Sequence, residues 1–371
     1  MDLKSRMSCP SVVNSHTADE LAVVPQRRKA VLLLLVLLMI HLLRFNSDYD
    51  DSWPAAWTQQ TLLPDHDRGD SLTQVAFQRQ GDGFDLRNAS IPVKRIVGGG
   101  PPKDGIPALT NPKQVAALDA SYLKTNDRVI GVTVGEVARA YPLRILDYHE
   151  IVNDRIGNLP VAVTYCPLCD SAVVFDRRTK LGEREFGVSG LLFNSNVLMY
   201  DRGGQPESLW SQLKAEGVSG PAIRLPLKTL PVELTAWQDW LSRHPQTTVL
   251  ALNTGHQRDY SRRLYAAYFA SPDLMFAVKP LDRRLAAKTP VLGVWTANAA
   301  RAYSVSKFSG ESTKLTDKLD GRTFVLEYDA RSRDLRVASA DEDVQWMYSF
   351  WFAWAAFHPK TELYKPVETA R

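Results

Sequence analysis

No basic stripe runs through this chain. Net charge is +4, and the basic residues are scattered apart from doublets such as Arg262-Arg263 and Arg283-Arg284, which excludes a nucleic-acid binder. The louder chemical motifs are missing too. The run His149-Glu150-Ile151-Val152-Asn153 lacks the second histidine of a zincin helix. Gly187 to Leu191 carries leucine where a nucleophile elbow needs glycine, so no acyl-transfer serine is indicated. The glycine-rich stretch 98–105 lacks the Gly-Lys-Ser/Thr ending of a phosphate loop, and its two prolines fit a rigid turn. No acid–base dyad or nucleotide motif names a substrate. What is present is ordinary for a globular protein: 371 residues, 44% hydrophobic and 23% charged, enough for one large domain or two.

The N-terminus is the first informative region. Arg27-Arg28-Lys29 precede an apolar run, Ala30 to Leu43, broken only by His41. As a helix it spans about 21 Å, short for a hydrocarbon core of about 30 Å, but Lys29 and Arg44 lengthen it by snorkelling. No small-residue cleavage site follows, which favours an uncleaved anchor over a signal peptide. Basic residues before the run and acids after it (Asp48, Asp50, Asp51) predict a cytosolic tail and an exported bulk. The expected layout is a tail over 1–29, a single-pass anchor of the bacterial inner membrane over 30–43, a juxtamembrane linker over 44–83 and a periplasmic domain over 84–371. The inner membrane is then the one partner the sequence names. Cys9 is left on the cytosolic side, apart from Cys166 and Cys169 in an oxidising compartment.

From Phe84 onward, short apolar runs alternate with turn residues, which predicts a mainly β fold with a few helices (α+β). Candidate strands are Val129–Val134, Ile145–Val152, Leu159–Tyr165, Ala172–Phe175, Leu191–Tyr200, Thr247–Leu252 and Thr323–Tyr328. One helix is expected at 235–245, with Thr235 and Gln238 as a capping box and Pro245 as its stop. A second is expected at 349–359, wedged into the core. An internal repeat organises the rest. Residues 129–146 align without gaps on 291–308, sharing Ala-Arg-Ala-Tyr, and with one inserted residue 158–165 fall on 321–328. Gly157-Asn158 and Asp320-Gly321 then coincide, and both suit two-residue hairpin turns. Two related β-modules follow, near 129–190 and 291–340.

The chemistry concentrates in Val163 to Phe175, Val-Thr-Tyr-Cys-Pro-Leu-Cys-Asp-Ser-Ala-Val-Val-Phe. The repeat places Cys166 and Cys169 on a hairpin turn, and the β-branched residues that follow argue against the helix that a thioredoxin-type pair opens. Taking the Gly157-Asn158 turn literally, antiparallel partners sum to 315, which sets His149 across from Cys166. Cys166, Cys169 and His149 then form a candidate soft-metal site, suited to copper or zinc and lacking a fourth ligand for structural zinc. The second copy carries Ser312, Asp329 and Ser332 at the matching positions. Two rival readings use the same pair: a thiol–disulfide oxidoreductase, and an inert disulfide in a structural or interaction module.

Several longer stretches carry a resemblance: 99–109, 149–154, 164–177, 186–202, 208–212 and 350–359. Through them the chain, from about Phe84 to Tyr364, resembles DUF3179, a bacterial family catalogued as a domain of unknown function. The resemblance implies an exported, often membrane-anchored protein and brings no agreed activity. Relatives tend to carry glycine after the second cysteine, as zinc knuckles do. Asp170 stands there instead, a departure that weakens knuckle geometry and offers an oxygen as a further ligand.

Overall fold

The computed structural model describes residues 83–308 and 310–366. The predicted tail, anchor and most of the linker, with Cys9 and His66, lie outside the described residues. Among those described, no helix is long and apolar enough to cross a membrane. Strand outweighs helix, 41% to 13%, so the fold is mainly β with few helices, as the alternation of apolar and turn residues predicts.

The first copy opens with the hairpin β1 (Arg128–Val134) and β2 (Val137–Pro142), followed by α1 (Leu143–His149). A three-stranded meander comes next: β3 (Ile151–Ile156), β4 (Leu159–Cys166) and β5 (Ser171–Asp176). An inserted sheet of β6 (Glu185–Phe193), β7 (Asn196–Arg202) and β8 (Leu209–Ser211) interrupts the copy. The copy then resumes with β9 (Glu233–Ala236), α2 (Trp237–Arg243) and β10 (Thr248–Leu250). A connecting segment with the short helix α3 (Ala266–Ala270) leads to the second copy. That copy comprises β11 (Pro290–Trp295) and β12 (Ala300–Ser304), then the meander β13 (Thr313–Leu319), β14 (Arg322–Asp329) and β15 (Asp334–Ala340), and finally β16 (Gln345–Phe350), α4 (Trp351–Phe357) and β17 (Glu362–Leu363).

Pairing in the two copies corresponds strand for strand. β9–β1–β2–β10 and β16–β11–β12–β17 are both four-strand runs with two antiparallel ladders and one parallel ladder. Three side-chain devices recur with them. Arg139 and Tyr141 both donate to Asp154, at 2.8 and 2.7 Å, and Arg301 and Tyr303 both donate to Asp317, at 2.8 and 2.5 Å. The indole N–H of Trp240 donates to Thr247, and that of Trp354 to Thr361, each at 2.9 Å. Gly131 lies flat under Trp240 and Gly293 under Trp354; a Cβ at either would stand 2.2–2.3 Å from the ring. Only glycine admits the indole there. The shared Ala-Arg-Ala-Tyr run is thus the ion-pair strand of each copy.

The copies then exchange edges. The first meander joins the second copy's four-strand run, with Tyr348 of β16 opposite Ala172 of β5. Reciprocally, Thr235 and the backbone N–H of Ala236 at the end of β9 donate to Asp334 of β15, at 2.6 and 3.2 Å. Thr235 is therefore not the cap of α2, whose N-cap is Ala236, without a side-chain cap hydrogen bond.

Two further expectations need correcting. The run 145–152 is not one strand: 145–149 belong to α1, and only Ile151 and Val152 lie in a strand, β3. Leu143, Ile145, Leu146 and His149 are the buried face of α1, and their spacing satisfies a helix as well as it does a strand. The run 191–200 is two strands, because Asn194 and Ser195 take left-handed conformations (φ 51° and 65°) and turn the chain. Both two-residue turns do close hairpins, pairing Ile156 with Leu159 and Leu319 with Arg322.

Candidate functional site

Cys166 ends β4, pairs with Ser171, and the turn Pro167–Asp170 links the two strands. The Cys169 N–H donates to the Cys166 carbonyl at 3.1 Å, and Asp170 takes the left-handed conformation (φ 46°) that closes the turn. Asp170 is no spare ligand. Arg128 grips both of its oxygens at 2.9 Å, and the Tyr165 hydroxyl donates to it at 2.8 Å.

Alternation along β4 sends Tyr165 to one core and Cys166 to the other, a cluster of buried residues that includes Phe186, Val197, Met199 and Trp210 of the inserted sheet. The thiols are sealed: Cys166 is 1% exposed and Cys169 0%. Both are free, 4.1 Å apart and not bonded. Two turns meet here. Both thiols donate to the carbonyl of Ser195, from Cys169 at 3.1 Å and from Cys166 at 3.8 Å. Beside them Gln212 accepts from Ser171 and Asn196, at 2.6 and 2.7 Å, and donates to Thr164 at 2.9 Å. These groups satisfy one another, while the buried Ser195 hydroxyl beside them has no hydrogen-bond partner among the described residues. Phe350 donates its N–H to the Cys169 carbonyl at 2.7 Å. The Tyr268 hydroxyl of α3 reaches the Leu168 carbonyl at 2.8 Å and covers the outer side.

The thiols are not equivalent. Burial raises both. At Cys166 the Cys169 thiol and the backbone N–H groups of Val197, Cys169 and Leu168 overcome it and bring the thiol below its usual range. Cys169 stays well above, pushed by burial and by the charge that Cys166 takes up. Cys166 is the thiolate-forming member of the pair.

His149 is not brought to this pair. The sum-to-315 register holds from Ile151 to Ile156, but α1 occupies the next positions and ends at His149. Nδ1 of the imidazole lies 2.7 Å from the Pro107 carbonyl and Nε2 lies 2.6 Å from the Tyr260 hydroxyl. Burial lowers its pKa to about 4, partly offset by the Pro107 carbonyl, so the ring is neutral at pH 7. Among the described residues no group of three or more His, Cys, Asp and Glu could hold a metal ion.

Two residues at the site escaped the sequence reading. Ser195 was hidden inside a presumed strand, although Asn194-Ser195 is a turn signal. Glu150 is 7% exposed, and among the described residues its carboxyl makes no hydrogen bond and no ion pair. Burial pushes that carboxyl well above the usual range, with the charges of Cys166 and Asp147 adding to it. An acid in the apolar run Ile145 to Val152 was the available signal.

A duplicated, mainly β protein with a sealed dithiol turn in one copy only is the class that fold and site define. The family described as "Protein of unknown function (DUF3179)" matches residues 103–345, and the chain belongs to it. No curated protein and no solved structure matches the chain.

Proposed function

We propose that the Cys166–Cys169 turn is a dithiol–disulfide redox centre, in a domain that the run 30–43 anchors to the inner membrane with its bulk exported. The observation that carries the redox reading is the pair itself: two free thiols 4.1 Å apart on one four-residue turn. A modest adjustment of that turn brings the sulfurs to the bond length of about 2.05 Å. Cys166, whose thiol is the lower of the two, attacks a disulfide; Cys169, protonated and adjacent, resolves the mixed disulfide. A small closed loop contributes little entropy to stability, which fits a bond made and broken in use better than a permanent staple.

The test equilibrates the full chain in glutathione buffers of graded potential, alkylates the free thiols and weighs the products. A reversible transition of two thiols is expected, together with a mixed disulfide trapped in Cys169→Ser. Thiols that stay reduced across the whole range would end the redox reading. Loading with Cu(I) or Zn(II) is the companion measurement. One ion per chain, lost in Cys166→Ser, with no redox transition, would put a two-thiol metal site in its place.

A further inference from the structure

The thiols of the cysteine turn are sealed, so a disulfide reaches them only if one wall of the site moves. The Ser195 carbonyl sits in the turn between β6 and β7, and Phe350 ends β16, so moving either breaks a backbone ladder. The outer wall is built differently. From Ser261 to Val278 the connecting segment holds only the five residues of α3 as regular structure. Among the described residues, no backbone hydrogen bond and no ion pair links this stretch to anything beyond the connecting segment. Two side chains fasten it. The Tyr268 hydroxyl donates to the Leu168 carbonyl at 2.8 Å. Lys288 is held in place by α4, because Trp351 and Phe352 donate to the flanking carbonyls of Thr289 and Ala287, at 2.8 and 2.9 Å. Its ammonium braces α3 by donating to the carbonyls of Tyr268 and of Ser271, the latter at 2.7 Å. The remaining contact is apolar: Tyr265 and Tyr268 are buried, and Phe269 meets Phe350 edge-on, with ring centroids 5.6 Å apart. Both ends are pinned. The Tyr148 hydroxyl donates to the Asp259 carbonyl at 2.6 Å, and Tyr260 is held by His149. At the other end Asn194, next to Ser195, accepts the Lys279 N–H at 3.2 Å, and Arg95 donates to the Lys279 carbonyl. A stretch without ladders, fixed at its ends and fastened by two side chains, opens locally before the sheets do.

We infer that residues 261–278 are a strap that gates the dithiol, with Tyr268 as its latch and Tyr260 and Lys279 as its hinges. The inference rests on the dithiol reading above. Leu168 lies between the two cysteines, so the latch closes on the dithiol turn itself. Breaking that hydrogen bond frees the strap from the group it covers. The buried rings of Tyr265 and Tyr268 keep the closed form dominant, and the open form is the minor state through which a disulfide enters. Opening leaves the β4–β5 ladder, the Arg128 grip on Asp170 and the Ser195 carbonyl where they are. The two sulfurs are therefore uncovered without losing the geometry that sets them side by side.

The experiment follows alkylation of Cys166 and Cys169 by iodoacetamide in the reduced full-length chain, at a series of low denaturant concentrations. Lifting a strap exposes little surface, so the rate should rise with denaturant far less steeply than global unfolding does. Tyr268→Phe keeps the ring and removes the latch. It should speed alkylation about two- to tenfold, the worth of one hydrogen bond. That ratio should hold across the pH range in which the thiols titrate, which separates access from ionisation. Trp240→Ala weakens the whole fold away from the strap and should leave the rate within about twofold of the unsubstituted chain. An unchanged rate in Tyr268→Phe would overturn the gate, as would rates that follow global unfolding in their denaturant slope and in Trp240→Ala. Should either variant fail to fold, hydrogen exchange in the unsubstituted chain decides. The amides of α3 must exchange faster, and with a shallower denaturant slope, than those of β4 and β5; equal protection overturns the gate. Thiols that alkylate through the strap and never oxidise would remove the redox reading and leave the gate standing. Thiols that oxidise but alkylate only on global unfolding would do the reverse.

Discussion

The two meanders share a pairing scheme and differ in what covers them. In the first, β4 and β5 are buried on both faces almost throughout. In the second, β14 and β15 alternate, one side to the core and one toward solvent, until β15 runs out exposed. Sequence follows cover: Ser-Ala-Val-Val-Phe-Asp reads as a continuous apolar run, while Asp-Leu-Arg-Val-Ala-Ser alternates. The cause is the insert. Between β5 and β9 the first copy spends residues 177–232 on an extra sheet that lies over its meander. The second copy goes from β15 to β16 through 341–344 alone. Where the first copy has its sealed thiols, the second has a polar cleft of about 340 Å³, lined by Ser312, Asp329, Ser332 and Asp334 together with Asp239 and Arg243 of α2. A duplicated frame thus supports a dry dithiol turn in one place and a wet, charged surface in the other, and the insert decides which.

Substitutions at matching positions probe how far the equivalence goes. Trp354→Ala and Trp240→Ala should be the most damaging, each costing about 3–5 kcal/mol in chemical denaturation, since both rings are fully buried. A loss confined to one of them would break the equivalence of the two frames. Next come the shared aspartates. The Asp154 side chain is only 6% exposed. Asp154→Asn should therefore cost about 3 kcal/mol, because it leaves Arg139 without its anion in the more buried site. The Asp317 side chain is 19% exposed, and Asp317→Asn should cost about 1 kcal/mol. Equal losses would mean that cover does not set the difference.

A third measurement uses pH. Burial, followed by the charge of Asp170, raises the Asp147 carboxyl from 3.8 to about 7, against the pull of Arg263 and Arg128. The folded pKa lies above the unfolded one, so the unfolded chain ionises first. Stability therefore falls as pH rises through that window, by about 2 kcal/mol once partial solvent screening is allowed for. Denaturation midpoints at the two ends of the window should show the fall, and Asp147→Asn should flatten it. The smallest effect belongs to the open meander. Lys314 pairs with Glu327 while its own side chain is 74% exposed. Lys314→Ala should change stability by less than about 0.5 kcal/mol. A larger loss would show the second meander to be less solvated than its alternation implies.

Much of this architecture was legible because its signals are local. Gly-Asn and Asp-Gly turns, strand alternation and the Ala-Arg-Ala-Tyr repeat all depend on near neighbours, and the cysteine hairpin followed from them. Reading failed where tertiary context decides. The run Leu143 to His149 has apolar spacing compatible with either period, and packing against the sheet selects the helix. That one change removes His149 from the place across from Cys166 and leaves Glu150 beside Tyr165 in a left-handed conformation. The pairing of Thr235 with Asp334, in place of a helix cap, reflects an edge exchange between segments about a hundred residues apart, which no local pattern encodes.

That exchange also governs how the chain can be cut. Because β16 supplies the neighbour of the cysteine-bearing meander and the hydrogen bond to the Cys169 carbonyl, neither half of the duplication is a self-sufficient fragment. A polypeptide that ends before Gln345 lacks Tyr348 opposite Ala172 and the Phe350 N–H on the Cys169 carbonyl, while Leu230 and Thr229 still pair with Val174 and Phe175. The strand that completes the surroundings of the cysteine turn is thus among the last to be synthesised, and the order of synthesis places that contact near the end.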